Sequence, residues 1–479
     1  MHQQQIDERL IRPGPHSDVP VPLQRSPVRL LPQLYVNYIR SWEAVLRTPL
    51  KRTIGRHHHV RTALKKARNR LIFGKQSSAR TLKHNRGIIG PRAFGVNLAG
   101  HLRSEKGVGE AARAAARALE AASIPFALND VVESGSINQD SGFTKFTDDN
   151  PYNVNLLHIN ADQVPIVAMQ KGDDYFKGRY NIGCWFWELS QFPEEWHSSF
   201  AYFNELWAPT SFIHDALSRV SPIPVVKMPL ALDPDLEVIP NLTRQNFGLP
   251  IDSFMILSIL DFASVLERKN PLGLIKAFKL AFNAKDDAVL VLKVAHSEQY
   301  PRESAALRCA CDASNVRIID RILSRQEMNT LLSLCDGYAS LHRSEGYGLP
   351  IAEAMSHGKP VVVTAYSGNM DFTTAANSLL VKYHLAEIDR DYGFYRKGWM
   401  WADPDLEHAA ESMRYLYENR NKAQQIGSRA KQDILAQFHP KDVGKQTLQR
   451  LQRIASVRSL PWHSPQEIGL APQQTSWRL

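Results

Sequence analysis

His342-Arg-Ser-Glu345-Gly-Tyr-Gly-Leu-Pro350-Ile-Ala-Glu353-Ala-Met-Ser-His-Gly358-Lys-Pro-Val-Val-Val-Thr364-Ala-Tyr-Ser367-Gly-Asn-Met-Asp-Phe372 is the stretch that decides the reading of this 479-residue chain. A strand ends at Leu341, and a loop carrying Gly346 and Gly348 follows. Pro350 suits the first turn of a helix over Leu349–His357, and Gly358 suits its left-handed cap. A fully apolar strand, Pro360–Thr364, comes next, and Ser367-Gly368-Asn369 then opens another helix. Strand, glycine loop, helix, glycine and buried strand form one repeat of an α/β sheet. Glycines let backbone approach a ligand, and helix N-termini offer free N–H groups to phosphate. Glu345 in the loop and Glu353 one turn inside the helix can each accept hydrogen bonds from hydroxyls. A capping acid and a helix-surface acid would be the plain alternative.

Outward from this stretch the same alternation recurs. Upstream lie strands at Phe254–Leu260, Ala288–Val294, Val316–Ile319 and Gly337–Leu341. The helices between them include one opened by Asn270-Pro271, with Asn as cap and Pro at the first helical position, and one over Arg325–Leu334. Downstream, Asp405–Gln437 reads as helix with a break near Gly427. An earlier unit begins near Gly90, with strands at Phe94–Leu98, Phe126–Val132, Val154–Ile159, Asn181–Phe186 and Pro224–Pro229. Its helices are Glu110–Ala122, Glu194–Asn204 and Phe212–Val220. The expected fold is therefore α/β, two Rossmann-like doubly wound domains (residues 91–237 and 238–438) facing a central cleft. A C-terminal helix over 439–457 and a disordered tail over 458–479 follow. In such sheets ligands bind beyond the carboxyl ends of the strands, and every loop singled out here lies at one.

Composition limits the remaining choices. Hydrophobic residues make up 43% and charged residues 22% of the chain, as in soluble globular proteins. No apolar run approaches the roughly 20 residues that span a bilayer, and the first 30 residues lack the apolar core of a secretory signal. The four cysteines, at 184, 309, 311 and 335, form neither a disulfide framework nor a two-pair zinc pattern; reduced thiols in a cytoplasmic protein are expected. The net charge of +10 is uneven: residues 1–90 hold 18 Lys and Arg against 4 Asp and Glu. This basic, partly disordered extension carries helix candidates at Leu34–Leu46 and Arg61–Ile72. It also holds a run of histidines at 57–59 that reads as a polar linker. It suits an anionic partner such as a membrane surface or another macromolecule, or else it is simply a solvated arm. No specific nucleic acid is expected.

Glu345 and Glu353, with Glu-Gly-Tyr-Gly-Leu-Pro before and Gly-Lys-Pro-Val-Val after, resemble the Glu-x7-Glu signature of the retaining glycosyltransferases of family 4, which have the GT-B fold. The resemblance implies that Glu353 holds the ribose of a nucleotide and that Glu345 contacts the donor sugar near the reacting centre. It implies that Gly346, Gly348 and the backbone of Ser367, Gly368 and Asn369 line the diphosphate and sugar. Arg268 and Lys269, in the loop after the first strand of the second unit, match the family's pair of cations on the donor diphosphate. Arg321 and Ile322 match the place where backbone meets the nucleobase. In the first unit, Gly107 and Gly109 resemble the family's glycine-rich acceptor-side loop.

Trp185-Phe-Trp-Glu-Leu-Ser-Gln-Phe-Pro-Glu-Glu-Trp196 resembles a subgroup of the family. Many members carry a His at the end of this strand; here Trp187 and Glu188 stand in its place, which leaves the role of the position open. Exposed Trp faces would suit sugar rings, while core packing is the other reading. His158, at another strand end, is a further cleft candidate or a structural histidine.

The activity implied is transfer of a sugar from a nucleoside diphosphate to a glycan or lipid-linked acceptor hydroxyl, with retention, in polysaccharide or glycolipid biosynthesis. The setting implied is cytoplasmic, with peripheral contact at the inner membrane face through residues 1–90. No cofactor or metal is expected, because no Asp-x-Asp motif sits in a suitable loop; Asp403-Pro-Asp405 follows the donor stretch. A nucleotide-sugar epimerase or phosphorylase on the same fold and a non-catalytic nucleotide- or sugar-binding scaffold stay open as alternatives. Donor base, sugar, acceptor and linkage are not legible in the residues.

Overall fold

The computed structural model describes residues 92–458 apart from 134, 135, 284 and 312–314, together with residue 460. The histidine run and both helix candidates of the basic extension lie outside the described residues, as does nearly all of the C-terminal tail.

The first domain is built on β1 (Ala93–Gly100), β2 (Phe126–Asp130), β3 (Tyr152–His158), β4 (Tyr180–Cys184), β5 (Glu205–Ala208) and β6 (Val225–Lys227). They form one parallel sheet in the order β2-β1-β3-β4-β5-β6. Helices α1 (Gly107–Ala121), α2 (Val164–Lys171) and α3 (Ser211–Ser218) connect them. The second domain holds β7 (Phe254–Asp261), β8 (Ala288–Ala295), β9 (Val316–Asp320), β10 (Gly337–Ser340), β11 (Val361–Thr364) and β12 (Leu379–Val381). Its sheet runs β12-β11-β10-β7-β8-β9, again parallel. The inner strands β7, β8 and β11 are buried on two faces, which explains their apolar runs, while the edge strands β6, β9 and β12 are partly exposed. This is the expected two-domain GT-B architecture.

The order of strands locates the crevices. In the first sheet it reverses between β1 and β3; in the second, between β7 and β10. Loops leaving such neighbours diverge to opposite faces and open a gap for a ligand. The loop after β7 carries Arg268 and Lys269, and the loop after β10 carries Glu345.

Helices α4 (Pro271–Ala281), α5 (Pro301–Cys311), α6 (Arg325–Leu334) and α7 (Leu349–Ser356) complete the crossovers of the second domain. Asn270 caps α4 as expected, accepting from the Gly273 amide at 3.2 Å. The expected break near Gly427 is displaced: α8 (Leu406–Glu418) ends at Asn419, and α9 (Arg420–Phe438) runs unbroken through Gly427. Gly427 is there for contact. A Cβ on it would stand 2.1 Å from the Gly358 carbonyl oxygen, so the glycine lets α9 lie against the end of α7. A two-stranded antiparallel hairpin, β13 (Tyr383–Glu387) with β14 (Met400–Pro404), was not anticipated.

The last helix, α10 (Pro440–Arg458), returns to the first domain. Leu451, Ile454 and Ala455 join the core of Phe94, Val96, Leu98 and Leu128. Arg450 Nε donates to the fully buried Glu205 at 3.1 Å.

Candidate active site

The loop after β10 is stitched to the loop after β11 by main-chain contacts. The Glu345 amide donates to Ser367 Oγ at 2.8 Å, and the Gly368 amide donates to the Glu345 carbonyl at 2.9 Å. A Cβ at Gly368 would lie 1.9 Å from the Gly346 carbonyl oxygen; no larger residue fits this crossing. Gly348, at φ +87, turns the chain into α7. Asn369 braces the fold: its side chain meets His342 Nε2 at 3.0 Å and donates to the Thr364 carbonyl at 3.0 Å. Tyr347 packs inward on Phe372 and Phe438.

The loop after β7 delivers the cations. Val265 holds φ +53, a left-handed conformation costly for a β-branched residue. One helical turn, Leu266–Lys269, follows and ends at Asn270, whose side chain donates to the Leu341 carbonyl at 3.0 Å. Asn270 thus pins the β7 loop to the end of β10. Lys269 Nζ lies 2.5 Å from Glu345 Oε1, and Arg268 Nη1 lies 3.1 Å from Glu345 Oε2 and 2.7 Å from the Ser344 carbonyl. Arg268 is 3% exposed and Glu345 7%. Burial alone would raise the Glu345 carboxyl, but Lys269 and Arg268 overcome it and hold the group down at about 2. Glu345 faces both cations, and Glu188 acts on Arg268 as well, so two carboxylates stand against Arg268 and Lys269 at the head of the crevice.

Glu353 sits buried in the second turn of α7, and its Oε1 is 2.5 Å from Arg325 Nη1. Sequence reading passed over Arg325 as part of a helix. The signal available was its position: a cation in the first turn of a helix opposes the dipole and calls for a compensating partner. Arg321 and Ile322 stand exposed after β9. Arg321 pairs with Glu327 at 3.1 Å and lies over the Phe247 ring.

From the first domain, Gly107 starts α1 with open space where a Cβ would be, whereas Gly109 is packed 2.3 Å (virtual Cβ) from the Ser104 carbonyl. Thr210 Oγ1 and Ser344 Oγ join the two domains, the former to the Gly346 carbonyl at 2.9 Å, the latter to the Glu188 carbonyl. The Glu188 carboxylate accepts from Tyr395 Oη at 2.9 Å, and Arg268 lies over the Tyr395 ring. Glu188 therefore reaches the charged cluster by way of a residue on the β13–β14 connection that sequence reading did not single out.

At two positions left open between a cleft role and a structural one, the structure shows packing. Trp187 offers no open face: it is 3% exposed, its Nε1 donates to the Gln191 carbonyl at 2.6 Å, and its ring sits among Phe192, Trp196, Tyr395 and Trp399. The Trp cluster is core packing beneath the hairpin. His158 lines a small apolar cavity with Leu119, Cys184, Trp207, Met228 and Thr447 and does not meet the charged cluster. Burial depresses its imidazole to about 3.

Among the described residues no group of His, Cys, Asp or Glu is arranged to hold a metal, and Cys309 and Cys311 on α5 are in no disulfide. No described helix is long and apolar enough to cross a membrane.

Residues 244–433 match the family described as glycosyl transferases group 1. No match was found among curated proteins. Similar solved structures include HepE of Anabaena in complex with UDP and glucose, at 13% identity and a TM-score of 0.56, covering 75% of this chain and 100% of that one. Sucrose-phosphate synthase of Thermosynechococcus elongatus gives 14% identity and a TM-score of 0.58, with 76% and 100% covered. A glycosyltransferase of Rickettsia africae gives 14% and 0.53, with 76% and 99% covered. At such identities the likeness speaks for the fold.

Proposed function

We propose that the protein moves a sugar from a nucleoside diphosphate donor to an acceptor hydroxyl with retention of anomeric configuration, a reading supported by the match of residues 244–433 to the glycosyl transferases group 1 family. The observation that carries this reading is the buried Arg268–Lys269–Glu345 cluster at the switch point of the second sheet. HepE, with the same fold, was solved with UDP and glucose, which supports a nucleotide-sugar donor here.

In the proposed reaction the bond from the sugar anomeric carbon to the diphosphate oxygen breaks. A bond from that carbon to the acceptor oxygen forms, and the acceptor proton passes to the leaving diphosphate. Charge therefore develops on the diphosphate as the sugar gains oxocarbenium character. In this reading Arg268, Lys269 and the amides at the start of α1 and α7 stabilise that charge as it develops, with little reorganisation. Glu353 takes the ribose and Glu345 the donor sugar. With two cations on the leaving group, transfer proceeds without a divalent metal. Gly107, with no atom against its open side, lets the first domain close on the phosphates and exclude water.

The acceptor is a glycan or a lipid-linked glycan, the pathway that of a polysaccharide or glycolipid, and the setting cytoplasmic. The basic residues 1–90 hold the enzyme at an anionic membrane face. An epimerase or a phosphorylase on this fold, or a scaffold, would give different products. The test is incubation of chelator-treated protein with a panel of nucleotide sugars and acceptors, followed by product analysis. Nucleoside diphosphate released in step with acceptor consumed, and an α-product from an α-donor, is the expected result. Release of free nucleotide without acceptor consumption, or activity restored only by divalent metal, overturns the corresponding part.

A further inference from the structure

Arg325 opens α6 directly after its cap, Ser324. That is the helix end where a positive charge is disfavoured by the helix dipole, so its placement needs a compensating environment. Three carboxylates supply one. Glu353 from α7 lies 2.5 Å away, and Glu110 of α1 and Asp233 of the interdomain segment act on the same guanidinium. Burial would push Arg325 down, and these three anions more than reverse it. Glu110 is itself buried in the first turn of α1, clasped by Arg117 at 2.5 Å and Arg113 at 3.0 Å, and Arg117 reaches Asp233 at 3.9 Å. The Glu353 side chain is 9% exposed and that of Arg325 35%, and the guanidinium holds the carboxylate at Oε1.

We infer that Arg325 is a positioning residue for the donor ribose: it fixes the Glu353 carboxylate so that two hydroxyls can bind it at once and, through Glu110, it makes donor affinity depend on the charge network of the first domain. This rests on the proposed reading of Glu353 as the ribose acceptor. Each carboxylate oxygen has two acceptor sites; the Arg325 contact uses one on Oε1 and leaves one there and two on Oε2. A carboxylate without that contact would be free to rotate, and the two ribose bonds would have to be made at the expense of that freedom. Glu110 matters because it shares Arg325 with Glu353. When Glu110 is neutral, Arg325 is drawn wholly onto Glu353, and the carboxylate is a weaker acceptor for the sugar.

The experiment measures calorimetric affinity for uridine, guanosine and adenosine diphosphates and for their 2′,3′-dideoxy counterparts. The proteins are the full chain and its Arg325→Gln, Arg325→Lys, Glu110→Gln and Arg325→Gln/Glu110→Gln variants. The parent protein is expected to prefer the ribo form of its best nucleotide by about tenfold or more, the discrimination expected of a site built to bond hydroxyls. Arg325→Gln should reduce that preference to within about threefold, and Arg325→Lys should restore part of it. Glu110→Gln should lower ribo affinity in the parent and have no further effect in Arg325→Gln, as coupled partners do. An undiminished ribo preference in Arg325→Gln, or additive effects in the double variant, overturns the inference while leaving the transferase reading intact. Should Arg325→Gln fail to fold, Arg325→Lys and Glu110→Gln decide: full ribo preference in both overturns it. A parent protein that binds none of the diphosphates overturns the transferase reading itself, and binding without ribo preference removes the Glu353 assignment and this inference together.

Discussion

Thr210 Oγ1 donates to the carbonyl oxygen of Gly346 at 2.9 Å, joining the cap of a first-domain helix to the glycine loop of the second domain across 136 residues of sequence. The same oxygen accepts from the Ile213 amide at 3.3 Å as the N-cap of α3. One hydroxyl thus caps a helix and holds the two domains together, and Thr210 is fully buried. Thr210→Val keeps the shape and removes both bonds. It should cost about 1–3 kcal/mol of stability and raise the donor KM by loosening the Gly346 loop. Thermal or denaturant unfolding checks the first effect and initial-rate kinetics the second; a variant indistinguishable from the parent in both would show that the contact is dispensable.

Glu345 and Glu353 should separate in kinetics. Glu345→Gln removes the group proposed to act at the reacting centre and should lower kcat by about a hundredfold or more while leaving nucleoside diphosphate affinity within a few fold. Glu353→Ala should act in the opposite way, weakening diphosphate binding measured by calorimetry. Unchanged affinity in Glu353→Ala would contradict its assignment to the ribose.

The glycines differ in what they tolerate. Gly427→Ala drives a Cβ to 2.1 Å from the Gly358 carbonyl and should destabilise the protein by about 1–3 kcal/mol through overpacking. Gly107→Ala meets nothing within 4 Å. Its stability should be unchanged or higher by up to about 1 kcal/mol, yet its diphosphate affinity should fall, because the added methyl stands where phosphate would approach. A Gly107→Ala protein that is both stable and fully active would remove α1 from the donor site.

His158 sets a pH dependence. In the unfolded chain its imidazole takes up a proton near pH 6.5; in the fold, burial delays this to about 3. Between those values the unfolded state binds the extra proton, so this group costs stability as pH falls from about 6.5 toward 3. His158→Leu should therefore lose less stability than the parent between pH 7 and pH 5, by on the order of 1–2 kcal/mol. Denaturant titrations at the two pH values measure it, and parallel losses would mean that the folded imidazole is protonated normally.

The boundary between what sequence revealed and what it concealed follows from interaction range. Runs such as Val361–Val363, the Asn270-Pro271 start of α4 and the Gly358 turn are specified by neighbours within a few residues, so local pattern exposes them. So does the Glu-x7-Glu spacing, because loop and helix are contiguous. Strand β5 is hidden because it begins with a carboxylate; Glu205 is tolerated buried in the sheet because Tyr180 and Trp207 donate to it and Arg450 arrives from a helix 245 residues later. The Trp cluster stays open in sequence between sugar contact and core packing, because nothing nearby in sequence announces the hairpin that covers it.

By itself the sequence determined two parallel α/β units and the residue types of a donor site: these are set by periodicity, backbone conformation and short-range spacing. Only the tertiary structure decided which charges meet. Arg268 and Lys269 lie 76 residues or so from Glu345, as the paired hydrogen-bond partners are separated in the chain, and Arg325 lies 28 from Glu353. Coulombic pairing and desolvation act through space and not along the chain, so the cluster's charge and the partner of Glu353 exist only once the sheets have set their strand order.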